Sequence, residues 1–398
     1  MDALVLPLNW QRVRLGDIAE IIGGGTPSTQ VTSFWNGSIN WFTPTEIGIT
    51  KYVHKSQRTI TPLGLKNSST KLLPIGTILL TSRASIGDCA ILKVVATTNQ
   101  GFQSLIPLEK INNEFLYYLI LTLKNKLLKL ASGSTFLEVS PNKIKNLLIP
   151  LPPLNEQIAI ANILSALDRY LYNLDALILK KESVKKALSF ELLSQRKRLK
   201  GFNQNWQRVR LGDIAEIIGG GTPSTQVTSF WNGSINWFTP TEIGITKYVH
   251  KSQRTITPLG LKNSSTKLLP IGTILLTSRA SIGDCAILKV VATTNQGFQS
   301  LIPLEKINNE FLYYLILTLK NKLLKLASGS TFLEVSPNKI KNLLIPLPPL
   351  NEQIAIANIL SALDSEIISL KNKKRQFENI KKTLNHDLMS AKIRVLKK

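Results

Sequence analysis

Residues 9–168 recur letter for letter as residues 205–364, an offset of 196 over 160 positions. Solenoid repeats run at roughly 20–50 residues, so a copy this long is a domain rather than a solenoid unit. After each copy comes a segment that is related but not identical. The first is RYLYNLDALILKKESVKKALSFELLSQRKRLKGF and the second is SEIISLKNKKRQFENIKKTLNHDLMSAKIRVLKK. The plan is domain, connector, same domain, connector. It divides into a first domain at 1–154, a long helix at 155–200, a second domain at 201–350 and a second long helix at 351–398.

The charge balance narrows the partners. Lys and Arg number 49 against 25 Asp and Glu, for a net charge of +24. A chain this basic attracts polyanions, nucleic acid first and a membrane surface second. About half of the excess lies on the two connectors. With 43% hydrophobic residues, each half can still bury a core. The two cysteines, Cys89 and Cys285, are one position seen twice. They offer no disulfide framework and read as small buried residues in a reducing compartment. The opening MDALVLPLNW lacks the basic start and apolar length of a secretory signal. The run FLYYLILTL stops at Lys124, short of the roughly 20 apolar residues of a membrane span. These features predict a cytoplasmic protein with no membrane partner.

The connectors read as long helices. PLPPLNEQ is stiff through Pro150, Pro152 and Pro153. Asn155 follows as an N-cap, and Glu156 suits the first turn, where the helix dipole favours negative charge. Apolar residues then fall at Ile160, Leu164, Leu167, Leu171, Leu174 and Ile178, a spacing of 4 and 3 in alternation, and resume at Val184, Leu188 and Leu192. The second connector matches with Ile356, Leu360, Leu363, Ile367 and Leu370, then Phe377, Ile380, Leu384 and Leu388. This is a coiled-coil seam. From Asn155 to about Arg198 it predicts a helix of roughly 65 Å, too long for one domain to cover. Two such helices in one chain can cover each other, and the chain path favours antiparallel packing. The alternative is that each helix packs on its own domain. The expected fold class is α+β: two identical mixed α/β domains joined by two long antiparallel helices that form a coiled-coil stalk.

Inside the domain, VRLGDIAEII suggests a short strand and then a helix. GTILLTSRASIGDCAILKVVA reads as a hairpin, with runs at Ile78–Thr81 and Cys89–Val95 around a turn at Ala84–Asp88. Asn113 and Glu114 open an apolar helix through FLYYLILTLKNKLLKLA. Ser140 caps a short turn with Pro141 at its first position. NLLIPLP is a closing strand.

Between Glu46 and Asp88 there is no acidic residue. The stretch carries Lys51, His54, Lys55, Arg58, Lys66, Lys71 and Arg83, with Asn67, Ser68, Ser69 and Thr70 as short polar donors and Ser85 in the turn beyond. The second copy supplies Lys247, His250, Lys251, Arg254, Lys262, Asn263, Lys267, Arg279 and Ser281. These are the candidate DNA-facing residues, with Arg83 and Arg279 as candidate readers of guanine and Lys66 and Lys262 as candidate phosphate contacts. The competing reading is an ordinary solvated basic face. GGGTPS at Gly23–Ser28 lacks the lysine of a phosphate loop and reads instead as a tight turn allowing close backbone approach.

Catalytic signatures do not emerge. The chain has neither an N-P-P-Y-type methyltransferase tetrapeptide nor a G-x-G-x-x-G. Its three histidines, His54, His250 and His386, are too few for a metal cluster. The expectation is a binding protein with no catalytic residue, no metal and no cofactor. The alternatives are a helical scaffold with non-specific nucleic-acid or membrane binding, and an enzyme with an unrecognised site.

LGDIAEIIGGGTPS, SRASIG, NQGFQSLIP, SGSTFLEVS and IPLPPLNEQ occur in this order, twice, and HDLMSAKIRV closes the chain. In this combination the sequence resembles the specificity subunit of type I restriction–modification systems over essentially its whole length. The resemblance implies two target-recognition domains reading a bipartite site in double-stranded DNA, and an antiparallel helix pair that sets their spacing. It also implies DNA methyltransferase subunits, two of them, docked on the chain, with restriction subunits joining through the complex. Members of that family normally carry two different recognition domains. Here the two are identical, which predicts an interrupted palindrome as the target.

Overall fold

The hairpin run GTILLTS is apolar without alternation because the strand it forms is covered on both faces. In this computed structural model, which describes residues 6–133, 137–329 and 333–395, Ile78 and Leu80 enter one hydrophobic cluster while Leu79 between them enters another. The neighbouring strand divides likewise, with Cys89 and Ile91 on one side and Ala90 and Leu92 on the other. Fully covered strands lose the polar half of the period-2 pattern.

These strands sit within a five-stranded sheet. In chain order the first domain contains β1 (Gln11–Arg14), β2 (Ala19–Gly23), β3 (Trp35–Phe42), β4 (Tyr52–Val53), β5 (Arg58–Ile60), α1 (Pro62–Lys66), β6 (Ile78–Leu80), β7 (Cys89–Leu92), β8 (Ala96–Thr98), β9 (Gln103–Pro107), α2 (Asn113–Thr122), α3 (Lys124–Leu130), α4 (Pro141–Lys145) and β10 (Leu148–Leu151). The large sheet has the order β2-β9-β6-β7-β4, antiparallel except for the β7/β4 edge. A three-stranded sheet, β5-β3-β8, faces one side of it through Phe42 and Ala96. The other side is covered by α2, which brings Phe115, Leu116, Leu119 and Ile120 to the core at no more than 1% exposure. Each such side chain stabilises the fold by about 1.5–3 kcal/mol. β1 and β10 pair antiparallel and bring the ends of the domain together. The second domain repeats every element 196 residues later, from Gln207–Arg210 to Leu344–Leu347.

Two local expectations change. DIAEII is a 3-10 turn at Leu15–Asp17 followed by β2, not a helix, because Ile21 and Ala19 are required opposite Leu105 and Pro107 of β9. The apolar helix expected from Asn113 breaks at Leu123, where Lys124 turns to pair with Asp88 and lies against Gly87. The hairpin, the Ser140 cap and the closing strand stand as expected. In SGSTFLEVS, residues 134–136 and their copies 330–332 lie outside the described residues, as do the first five residues of the chain.

The connectors are single helices, Leu154–Leu193 and Leu350–Met389, each about 60 Å long at 1.5 Å per residue. The first starts one residue before Asn155. The Pro153 carbonyl accepts from the amides of Glu156 and Gln157, so Asn155 is inside the first turn. It ends at Leu193 rather than Arg198, with Gln195 in the left-handed region at φ 62°. By length and composition the second helix also holds a window apolar enough for a membrane span. Its Ile356, Ala357 and Leu360 are buried in the second domain's core.

The chain forms two compact units, residues 1–175 with 372–398, and residues 176–371. In the first unit, Asp175 pairs with Lys374 at 2.7 Å, Tyr170 stacks on Phe377, Asp168 pairs with Lys381, and Glu156 binds Arg394 at 2.7 Å. One number falls as the other rises, so the helices are antiparallel. In the second unit, Lys181 pairs with Glu366 at 2.8 Å, Lys185 with Asp364, and Arg198 with Glu352 at 2.7 Å, in the same antiparallel sense. The seam is less uniform than its spacing suggests. Ile160, Leu164, Ile356 and Leu360 are buried in the domain cores. Leu174, Ile178 and Ile367 are buried, whereas Leu167, Leu171, Leu363 and Leu370 are half-buried. Val184 and Ile380, expected in the stripe, are exposed, and lysine–carboxylate pairs take that part of the seam.

Candidate nucleic-acid interface

Glycines bring separate loops into one surface on each domain. A Cβ on Gly24 would overlap the Asn99 carbonyl oxygen, and one on Gly25 would overlap Ser69 Oγ. Only glycine lets the 23–28 loop pass that close to the 67–71 and 98–101 segments. Thr26 donates to the Gln100 side chain. Thr70 Oγ1 donates to the Thr98 carbonyl at 2.8 Å, and Ser82 N to the Gly101 carbonyl at 2.8 Å. The loop is fixed from below by two indoles: Trp41 Nε1 donates to the Gly25 carbonyl at 2.8 Å and Trp35 Nε1 to that of Ser28 at 3.0 Å. Thr26, Ser28, Ser69, Lys71 and Gln100 are exposed on the result. It is a rim of short polar donors and acceptors with exposed lysines beside it. Such groups suit phosphate oxygens and base edges.

The expected residues divide. His54, Lys55, Arg58, Lys66, Asn67, Lys71, Arg83 and Ser85 are exposed, as are His250, Lys251, Arg254, Lys262, Asn263, Lys267, Arg279 and Ser281. Asn67 and Asn263 each donate back to the carbonyl of a leucine one helical turn earlier, which occupies part of their amide. Ser85 and Ser281 hold left-handed turn positions at φ 52° and 53°. Lys51 and Lys247 are a correction. The Lys51 side chain is only 11% exposed, and its ammonium is held by Glu114, Tyr118 and Ser165. Burial, the largest influence, pushes its pKa below the ordinary lysine value against the raising effect of Glu114. Lys247 is held likewise by Glu310, Tyr314 and Ser361. Neither ammonium is left free for a phosphate.

That buried network fastens domain to helix. Tyr118 donates to Asp168 on the first long helix, and Lys381 pairs with the same carboxylate. Burial first, and the hydrogen bond to Asp168 second, raise the Tyr118 hydroxyl well above its ordinary pKa. Glu156 is buried where Trp10 Nε1 reaches it at 3.1 Å and Arg394 at 2.7 Å. Glu156 suits the helix dipole by position alone, but it is this clamp, with partners 146 and 238 positions away, that holds its carboxylate.

Thr26 and Gln100 are additions to the expected set, while Ser69, expected as a short polar donor, joins them on the rim. The signal available was the glycine run, which marks a loop pressed against something without naming it. The acid-free stretch is also less free than it reads: Glu114 and Glu138, both from outside it, reach Lys51 and Arg83.

A family model described as type I restriction modification DNA specificity domain matches residues 7–181 and again 203–379. A type I restriction enzyme specificity subunit, MjaIX of Methanocaldococcus jannaschii, is 29% identical over 98% of this chain and 95% of its own length. The EcoR124I/EcoR124II specificity subunit of Escherichia coli is 38% identical over 39% of this chain and 40% of its own. Among solved structures, the HsdS subunit from Thermoanaerobacter tengcongensis superposes with a TM-score of 0.59 at 20% identity, covering 98% of this chain and 99% of that one. The type I restriction-modification S subunit from M. genitalium gives 0.59 at 19%, covering 96% and 98%. At these identities the structural likeness concerns the fold.

Proposed function

This chain belongs to the type I restriction–modification DNA specificity subunits, and from that premise we propose that its two domains read one and the same half-site in inverted orientation. The target is an interrupted palindrome with half-sites about one helical turn, roughly 10 bp, apart. The exposed loops and basic residues read double-stranded DNA. Methyl transfer belongs to methyltransferase subunits, two of them, that this chain positions, and cleavage to restriction subunits joining the complex. The chain itself is non-catalytic and acts where the DNA is, in the cytoplasm, with no membrane role.

One observation carries the reading. The loops that form the rim are identical in the two copies, and the long helices pair antiparallel in each unit. Identical readers on antiparallel supports favour inverted half-sites over direct repeats. Selection of random duplexes by the chain assembled with its methyltransferase tests this. The expected motif reads the same on both strands around a fixed gap. A direct repeat, or two unrelated halves, contradicts it.

A further inference from the structure

Each domain presents two arginines to the loop surface, and the fold treats them differently. Arg83 lies in the turn whose Ser82 is bonded to Gly101, and its Nε is 3.0 Å from the Glu138 carboxylate. Arg58 has no acidic partner among the described residues. Its guanidinium carbon lies 3.8 Å from the Trp35 ring centroid and 5.4 Å from that of Trp41. The two indoles meet edge to face, with centroids 5.0 Å apart and planes at 86°. Both are buried, and both are tied by their N–H groups to the loop that carries Thr26. Arg58 stands directly opposite Trp41 across the β3/β5 pair, so it shares the face on which that loop rests. Glu46, the acid of the preceding loop, accepts from the amides of Thr43 and Gln57. The second copy repeats the arrangement, with Arg254 at 3.7 Å from Trp231 and Arg279 at 3.0 Å from Glu334.

A guanidinium laid on an indole has given up rotamer freedom before any ligand arrives, and its edge N–H groups remain free. A fixed planar fork suits the paired acceptors O6 and N7 of guanine, the commonest specific contact in the major groove. A phosphate takes the same fork bidentately, but exposed Lys66 and Lys71 already supply backbone contacts on this surface. We propose that Arg58 and Arg254 are the base-reading arginines of the two domains, each recognising a guanine in its half-site. Trp35 and Trp41, with Trp231 and Trp237, are their positioning residues. Arg83 and Arg279, the first choice from sequence, are turned to Glu138 and Glu334 instead. This inference rests on the DNA-reading role proposed above.

The duplication supplies its own control. Arg58→Lys is introduced in the first copy alone, and the assembled complex methylates a duplex panel in which each half-site position is varied. The unaltered second copy reports that the complex assembles. At one guanine position of one half-site, preference over the other base pairs falls about ten- to a hundredfold. All other positions hold, and Arg83→Lys leaves the motif unchanged. Trp35→Phe keeps an aromatic face and retains the preference, whereas Trp35→Leu weakens it at that same position only. Three results overturn the assignment: an even loss across all sequences, which is a phosphate contact; no change; or loss of a whole half-site with a lowered melting temperature, which is a packing role. The parent complex tests the underlying reading separately. A parent motif that is absent or not inverted defeats the proposed function, while a sound parent motif that Arg58→Lys leaves intact defeats only this assignment.

Discussion

Two units of one molecule contain the same domain but complete it with different helix segments, residues 372–395 in one and 176–204 in the other. What survives that change separates fastening from filling. Two ion pairs recur at matched positions. A buried glutamate meets an arginine, Glu156 with Arg394 and Glu352 with Arg198, and an aspartate meets a lysine, Asp168 with Lys381 and Asp364 with Lys185. One contact is replaced outright. Where the first unit stacks Tyr170 on Phe377, with ring centroids 4.7 Å apart, the second sets Glu366 against Lys181 at 2.8 Å. Both solutions fill the same half-exposed place on the seam. The recurring pairs hold a buried carboxylate or link domain to helix, so they have no cheap substitute.

The largest effect belongs to the arginine clamps. Arg394→Ala leaves Glu156 buried with only Trp10 as donor, and Arg198→Ala leaves Glu352 with only Trp206. Removing one partner of a buried pair costs about 3 kcal/mol or more, the loss expected of Arg394→Ala in urea unfolding followed by tryptophan fluorescence, and Arg198→Ala should destabilise in the same direction. A loss in one unit and none in the other breaks the equivalence. Next comes the replaced pair. Tyr170→Glu alone faces Phe377 and should cost about 1 kcal/mol, whereas Tyr170→Glu with Phe377→Lys should recover most of it, a coupling that a double-mutant cycle measures. Failure to recover means the two places differ in surroundings as well as in side chains. Asn385 donates to the Tyr118 carbonyl at 3.2 Å, and the matched residue in the first connector is Ser189. Asn385→Ser should cost about 1 kcal/mol, the worth of one hydrogen bond, and make the first unit resemble the second.

The smallest effect concerns pH. Burial raises the hydroxyl pKa of Tyr52, Tyr117 and Tyr118, and in the second unit those of Tyr313, Tyr314 and Tyr248, the last to about 12. The folded chain keeps tyrosine protons that the unfolded chain sheds near pH 10, so this contribution to stability is present below that pH and is lost as pH rises above it. Lys51, shifted down, works the other way but is one group against six. The urea midpoint should therefore drop between pH 9.5 and pH 11, roughly the span in which an unperturbed tyrosine ionises. Tyr118→Phe and Tyr314→Phe should soften that drop by similar amounts.

Much of the fold was legible in the sequence because its signals are local. The duplication gave two domains, the run at Ile78 and Cys89 a hairpin, and the 4-3 spacing after Leu154 a long helix. DIAEII misled because Ala19 and Ile21 alternate with polar Glu20 on too short a stretch to tell strand from turn of helix. Its partner, β9, lies more than eighty positions away. The site was legible as a basic stretch but not as a geometry. Nothing in the spacing of Trp35, Trp41 and Arg58 announces a stack, since a bulge in β3 sets it. The capture of Lys51 by Glu114 depends on the placement of α2, which composition cannot report.

We propose that identical readers on antiparallel helices read one half-site twice, inverted. The most direct measurement is a map of methylated adenines in cells carrying this chain with its methyltransferase partner. The account predicts a single motif whose two halves are reverse complements across a fixed gap, methylated on both strands. A motif with two different halves, or with the same half repeated in one direction, would contradict it.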